Sequence, residues 1–535
     1  MEKNRFKIYI FLLVCIMSIQ SCTDGFEDLN KDPKNPTQTT LPATFNGILR
    51  SLPLGYGEMS GIHFGRYYSQ SQQLGNARPT YALSSGSDNI WENYYMALKD
   101  IRLMESMIES GVADPLKSDN IKAFTNIILA YKTLRMVDYI GDMPFFDAGK
   151  GNQGAEYFYV KYDKQEDVYK YCIDLLKQAT ASIVESSDQY SLGSGDTFFK
   201  GDLNMWRKFA NSLLLRYAMQ AATTDASYNS IVGEILNDPG KYPLFVGTEA
   251  ATMFDGPLMD SHPWSYRENN NSCMGTAMWK MMSENDNTDG SGIFDPRCYV
   301  FFEPNVDGDW KAYPQNPDDN TPVQDRGAYL TSNYPTGRGQ YAQTEQEWNN
   351  KGEGCRFSPV NFYLATNDDY IPEILVTAAE VQFLKAEAYN RGVGVTKDAA
   401  RAKSEYEAGI RSSIGFWYDK IVAPCAKWYL HKPTLAAGQV DSYVAKMEYS
   451  GDEAVALKQI YAQMWIDSFR QPWLGFNLYR RTHATPRDET GPYNIADYQF
   501  YQVPIAESEK TYNYDNYMAA TQDKDETGIK LFWHK

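Results

Sequence analysis

The five histidines, His63, His262, His431, His483 and His534, are the natural place to look for acid–base or metal chemistry. None falls in a His-Glu-x-x-His pattern or another metal-ligand spacing. No Gly-x-Ser-x-Gly elbow and no phosphate-cradling loop is present. Sixty-eight Asp and Glu residues could supply a glycosidase pair, but no spacing singles one out. The expectation is that the chain is not an enzyme, with no catalytic residues, no metal and no cofactor.

Recognition chemistry is better represented. Aromatic residues make up 14% of the chain, with 40 Tyr and 11 Trp. A sugar ring has an apolar C–H face that stacks on an aromatic ring and a polar rim that bonds Asn, Asp or Arg. Aromatics next to polar groups in turn-rich stretches are therefore the candidates. Arg66, Tyr67 and Tyr68, with Asn76 and Arg78, form one such neighbourhood. Trp264 and Tyr266 form a second, and Trp310 and Tyr313 a third. The competing reading of each is loop packing. Trp91 is set aside, because it opens a helical pattern and is expected to pack.

Cys22 offers a different chemistry. Lys3, Arg5 and Lys7 precede a 12-residue apolar run, Ile8 to Ile19, and Ser21 stands directly before the cysteine. A basic start, a short apolar core and a small residue at the cut read as a secretory signal over residues 1–21. The run is too short for a permanent membrane span. A cysteine at the cut suggests lipidation of Cys22; the alternative is a plain signal with an ordinary thiol. Residues 22–40 are polar and turn-rich, with Asp24, Glu27 and Asp28 near the start, and suit a solvated tether.

Composition bounds the partners. The net charge is -17 and no basic stripe appears, so nucleic acid is not expected. Cys172, Cys273, Cys298, Cys355 and Cys425 are scattered, which argues against a disulfide framework, although Cys273 and Cys298 could pair.

The elements that must position these groups are mainly helices. Apolar residues at three- and four-residue steps mark helices at 90–110, 121–137, 168–183 and 206–221. Later patterns lie at 378–388, ending near Gly392, at 399–414, and from Leu457 to near Pro472. Helix pairs joined by short turns predict a stacked, TPR-like helical architecture. Between about 238 and 371, Gly, Asn, Asp and Pro replace the periodicity, predicting irregular structure packed on the helices. Residues 55–87 share that character.

Several strings identify a family resemblance. They are Phe26-Glu27-Asp28-Leu29-Asn30, the run from Tyr131 to Asp142-Met143-Pro144, and Gly201-Asp202-Leu203-Asn204-Met205-Trp206. The run from Glu373-Ile374-Leu375 to Tyr389, resembling a later helix, and the segments from Trp473 to Arg481 and from Val503 to Glu509 complete the set. Together they resemble the SusD/RagB family, lipid-anchored nutrient-binding proteins of the Bacteroidetes cell surface. The resemblance implies one SusD-like domain over residues 41–535, capturing oligosaccharides, or in some branches peptides. It implies a SusC-like TonB-dependent transporter as partner and an outer-membrane location through the lipid. An alternative is a helical scaffold that binds only protein. The physical readings of Gly141-Asp142-Met143-Pro144 (a helix stop) and Asp202 (a helix cap) are scaffold roles.

Overall fold

The computed structural model describes residues 39–52, 71–73, 84–111, 117–253, 272–305, 308–312, 357–358, 360–361, 372–425, 432–486, 501–522, 524 and 529–535, with the backbone alone at 71–73, 84–87, 272–273 and 472. Fifteen α-helices are found among them. The first half contributes α1 (Leu41–Leu49), α2 (Ser84–Glu109), α3 (Asp119–Ile140), α4 (Gln165–Ser182), α5 (Leu203–Ala221) and α6 (Asn229–Asn237). Consecutive helices pack on one another: α2 on α3, α3 on α4, α4 on α5. The 121–137 periodicity predicts one buried face. The structure buries α3 almost all round, because neighbours cover it on every side. A helix buried that way shows little amphipathic contrast.

The family strings do local work. Gly141 ends α3 with φ +74°, a backbone conformation that costs glycine little. Asp142 then accepts the Gln165 backbone N–H (3.0 Å) at the start of α4 and pairs with Lys164 (2.7 Å). Asp163 accepts the backbone N–H groups of Phe145 and Phe146, both at 2.9 Å. Asp202 caps α5 by accepting the Met205 N–H at 3.0 Å. Trp206, fully buried, stacks on Phe124 (4.5 Å, 14°), and its indole N–H donates to Asp196 at 2.9 Å. Asp196 also gathers three backbone N–H groups of the turn ahead of α5.

The second half contributes α7 (Thr276–Met282), α8 (Cys298–Phe301), α9 (Ala378–Arg391), α10 (Ala399–Gly415), α11 (Gln439–Lys446), α12 (Glu453–Asp467), α13 (Pro472–Thr482), α14 (Glu507–Tyr512) and α15 (Tyr514–Thr521). The pair α9–α10 is the most intimate in the fold, and α9 also packs on α5 and α12, which joins the two halves. Gly392 ends α9 in the left-handed region, where the periodicity placed the stop. A π-helix, Phe416–Val422, continues α10 beyond its expected end.

Strands are few among the described residues: β1 (Ser71–Gln73) pairs antiparallel with β3 (Ser272–Met274), and β2 (Ala250–Met253) with β4 (Glu373–Thr377). Two expectations need correction. Glu373-Ile374-Leu375 is strand, not the start of a helix, and α9 begins at Ala378 behind the Thr377 cap. All five β4 residues are buried, and the short apolar run Ile374-Leu375-Val376 at its centre reads equally well as helix or strand. The pattern from Leu457 stops at Asp467, and Pro472 starts α13, where its missing N–H costs nothing. Within segment 238–371, the described residues include β2, β3, α7 and α8, joined by irregular chain. Cys298 is a buried free thiol, unpaired with Cys273.

Five tryptophans, Trp206, Trp417, Trp465, Trp473 and Trp533, are fully buried. Much of the aromatic excess is therefore core. Trp533 shows why the chain end belongs to the fold: Arg480 covers its ring at 4.7 Å, and the Lys535 N–H donates to the Arg480 carbonyl at 3.1 Å.

Candidate ligand-binding cleft

Tyr299 sits on α8, and a buried ion pair fixes where α8 begins. Asp295 and Arg297 are fully buried, 2.7 Å apart. Arg297 also donates to Ser413 on α10 (2.9 Å) and Gln463 on α12 (2.7 Å). Tyr443 on α11 donates to Asp295 at 2.8 Å. One guanidinium thus ties a four-residue helix to three longer ones. Phe301 adds packing, stacked on Phe469 at 4.2 Å and edge-on to Trp417 of the π-helix at 4.8 Å.

The chain then turns back. Asn305 Oδ1 accepts the Asp309 N–H (2.8 Å), and the Trp310 N–H reaches the Thr288 carbonyl (2.7 Å). The Trp310 indole lies over Gly290, whose φ is +76°; a Cβ there would come within 2.8 Å of the ring. Trp310 and Tyr299 meet edge to face, centroids 5.6 Å apart and planes at 89°.

Behind these rings lies a cleft of about 300 Å³, at the lower end of the range for small-ligand sites. Phe302, Pro304 and Pro433 extend its apolar wall; Glu303, Asn361 and Gln439 supply polar groups. Lys432 lines it too, its ammonium donating to the carbonyls of Ala423 (3.2 Å) and Cys425 (2.9 Å) just past the π-helix. π-Helical turns recur at functional sites. Burial raises the Tyr299 phenol above its usual value and the Cys298 thiol well above its own, so both stay protonated at neutral pH. Cys298 is fully buried and outside the cleft lining, so of the two only the Tyr299 hydroxyl can offer a hydrogen bond there.

Two other cavities are weaker candidates. A cleft of about 450 Å³ between α5–α6 and α9–α10 has Tyr242 and Tyr389 in its lining, but both rings are buried. Its lysines are engaged, Lys208 with Glu249 and Lys385 with Glu405. A cavity of about 40 Å³ beside Arg216 and Asp467 is too small for a sugar.

Among the residues expected from sequence, Trp310 is in the cleft, 7% exposed, as its packed back wall. Arg66, Tyr67, Tyr68, Asn76, Arg78, Trp264, Tyr266 and Tyr313 lie outside the described residues, as does Cys22. Trp91 packs as expected, buried against Tyr95 at 4.7 Å. Sequence reading missed Tyr299, Lys432 and Gln439. Tyr299 stands in the apolar run Tyr299-Val300-Phe301-Phe302, which reads as core. Lys432 and Gln439 are more than a hundred residues further on, with no local mark.

The family model described as "Starch-binding associating with outer membrane" (SusD-like) matches residues 33–487. The chain belongs to the SusD-like family. The fold of this SusD-like protein is shared by solved structures. A chitin-binding protein aligns at 19% identity and TM-score 0.68, covering 93% of this chain and all of the other. A Bacteroidetes SusD-like protein aligns at 20% and 0.68 with the same coverage. A SusD homologue from Parabacteroides distasonis aligns at 21% and 0.68, covering 93% of this chain and 98% of its own. No curated protein matches the sequence. The SusD-like family associates with the outer membrane. Among the described residues, no helix is long and apolar enough to cross a membrane.

Proposed function

We propose that this protein is a surface nutrient-binding lipoprotein that captures oligosaccharides and passes them to a TonB-dependent outer-membrane transporter. The observation that carries the binding step is the cleft at Trp310. It brings together the exposed ring of Tyr299, an apolar wall and a polar rim in a space of a sugar's size. Family membership and the likeness to a chitin-binding protein support a saccharide as the ligand class. Delivery follows from chemistry: a binding body has no pore of its own, so another chain must supply one. Lipid at Cys22, with residues 22–40 as tether, would hold the body beside that pore and facing the cell exterior. The arrangement calls for binding without bond cleavage.

The test is calorimetry of the purified protein against a panel of oligosaccharides and peptides. Saccharide binding that leaves the saccharide intact supports the reading. Peptide binding with no saccharide binding replaces it with a peptide-capturing protein. Binding of neither class leaves a helical protein scaffold. Gentle detergent extraction and native mass spectrometry test the partnership, which monomer alone would refute.

A further inference from the structure

The polar side of the cleft is not charge-neutral in its accessible part. Glu303 is recessed, 4% exposed, whereas Lys432 is exposed. Among the described residues no carboxylate pairs with Lys432; its two hydrogen bonds go to backbone carbonyls. Other lysines of this acidic chain do take carboxylates, including Lys208, Lys385 and Lys446. An ammonium has three N–H donors. Two are spent holding Lys432 in place, and one is left for an acceptor. The loss of side-chain freedom that usually accompanies lysine binding is therefore already met in the free protein.

We infer that this cleft selects acidic oligosaccharides, the Lys432 ammonium taking a sugar carboxylate while the Tyr299–Trp310 wall receives the ring. The inference rests on the saccharide-binding reading above and narrows it to uronic-acid-bearing chains. A charge-assisted hydrogen bond to a fixed cation is about twice as strong as a neutral one. It also makes affinity fall with salt, since an exposed charge is screened.

The experiment is calorimetry with two probes of equal length, tetragalacturonate and maltotetraose, on wild type and Lys432→Gln. Wild type is expected to favour the acidic probe by about tenfold at low salt, and less at high salt. Lys432→Gln is expected to bring that ratio near unity, with an unchanged melting temperature confirming that it folds. Equal affinity of wild type for both probes overturns the inference while the saccharide reading stands. So does a preference that survives Lys432→Gln. Binding of neither probe, with no other saccharide bound in the wider panel, overturns both.

Discussion

Tyr299 stands edge-on to Trp310 at 5.6 Å, and the two rings divide the labour of one wall. Trp310 is 7% exposed and packed over Gly290; Tyr299, at 36%, is the ring a ligand can reach. Tyr299→Ala is therefore expected to weaken saccharide binding by about tenfold, the value of one aromatic contact of about 1.4 kcal/mol. Melting should change little. Trp310→Ala should instead cost about 3–5 kcal/mol of stability, as for other buried tryptophans. Paired calorimetry and denaturation of the two variants check this separation.

Arg297→Met should be among the most damaging single changes near the cleft. It leaves Asp295 as a buried carboxylate without its partner, a loss of about 3–5 kcal/mol. It also frees the start of α8 from α10 and α12, so ligand affinity should fall with stability. Replacing Asp295 by Leu in the same chain should recover part of the stability. Urea unfolding of the single and double variants measures it.

Asp138 gives a pH signature. It is buried between Gln220 and Asn477, which donate to its two oxygens at 2.6 and 2.7 Å. Burial pushes its carboxyl up from 3.8 to about 7, against the opposing pull of Arg480. Between those values the folded state keeps a proton that the unfolded chain has released. Its contribution to stability therefore falls as pH rises from about 4 to about 7. Asp138→Asn, with a permanently neutral group, should lack that slope. The variant should gain on wild type across the window and level off above it. Denaturant midpoints from pH 4 to 8 test this.

Glu387 has the opposite sign. Burial alone would raise its carboxyl, but Arg481, bonded to both its oxygens at 2.7 Å, and Arg391 hold it down at about 2. The stability it contributes is present above about pH 4.5 and drains away as pH falls toward 2. Glu387→Gln should destabilise strongly at neutral pH, by about 3–5 kcal/mol, because it strands buried Arg481. Below pH 4.5 the gap between variant and wild type should narrow. Acid unfolding monitored by circular dichroism follows both.

The sequence by itself determined the helical class, most helix positions and the family. The helices rest on local physics, three- and four-residue apolar steps, a cap at Asp202 and stops at Gly141 and Gly392, and the family on the resemblance of its strings. The same physics marked Trp310 as notable, because an indole beside Asp309 and Lys311 in a turn is a local pattern. It could not tell β4 from helix, since a run buried on every face has no period to read. Nor could it show that α3 is enclosed or that Asp138 is buried against α13, 339 residues away from Asn477. The cleft belongs to the tertiary structure. Tyr299, Trp310 and Lys432 come from α8, a turn and the segment beyond the π-helix; Arg297 ties the start of α8 to three helices, Thr288 holds the Trp310 turn, and the Ala423 and Cys425 carbonyls hold Lys432. That convergence depends on side chains far apart in sequence finding one another, which no window along the chain encodes.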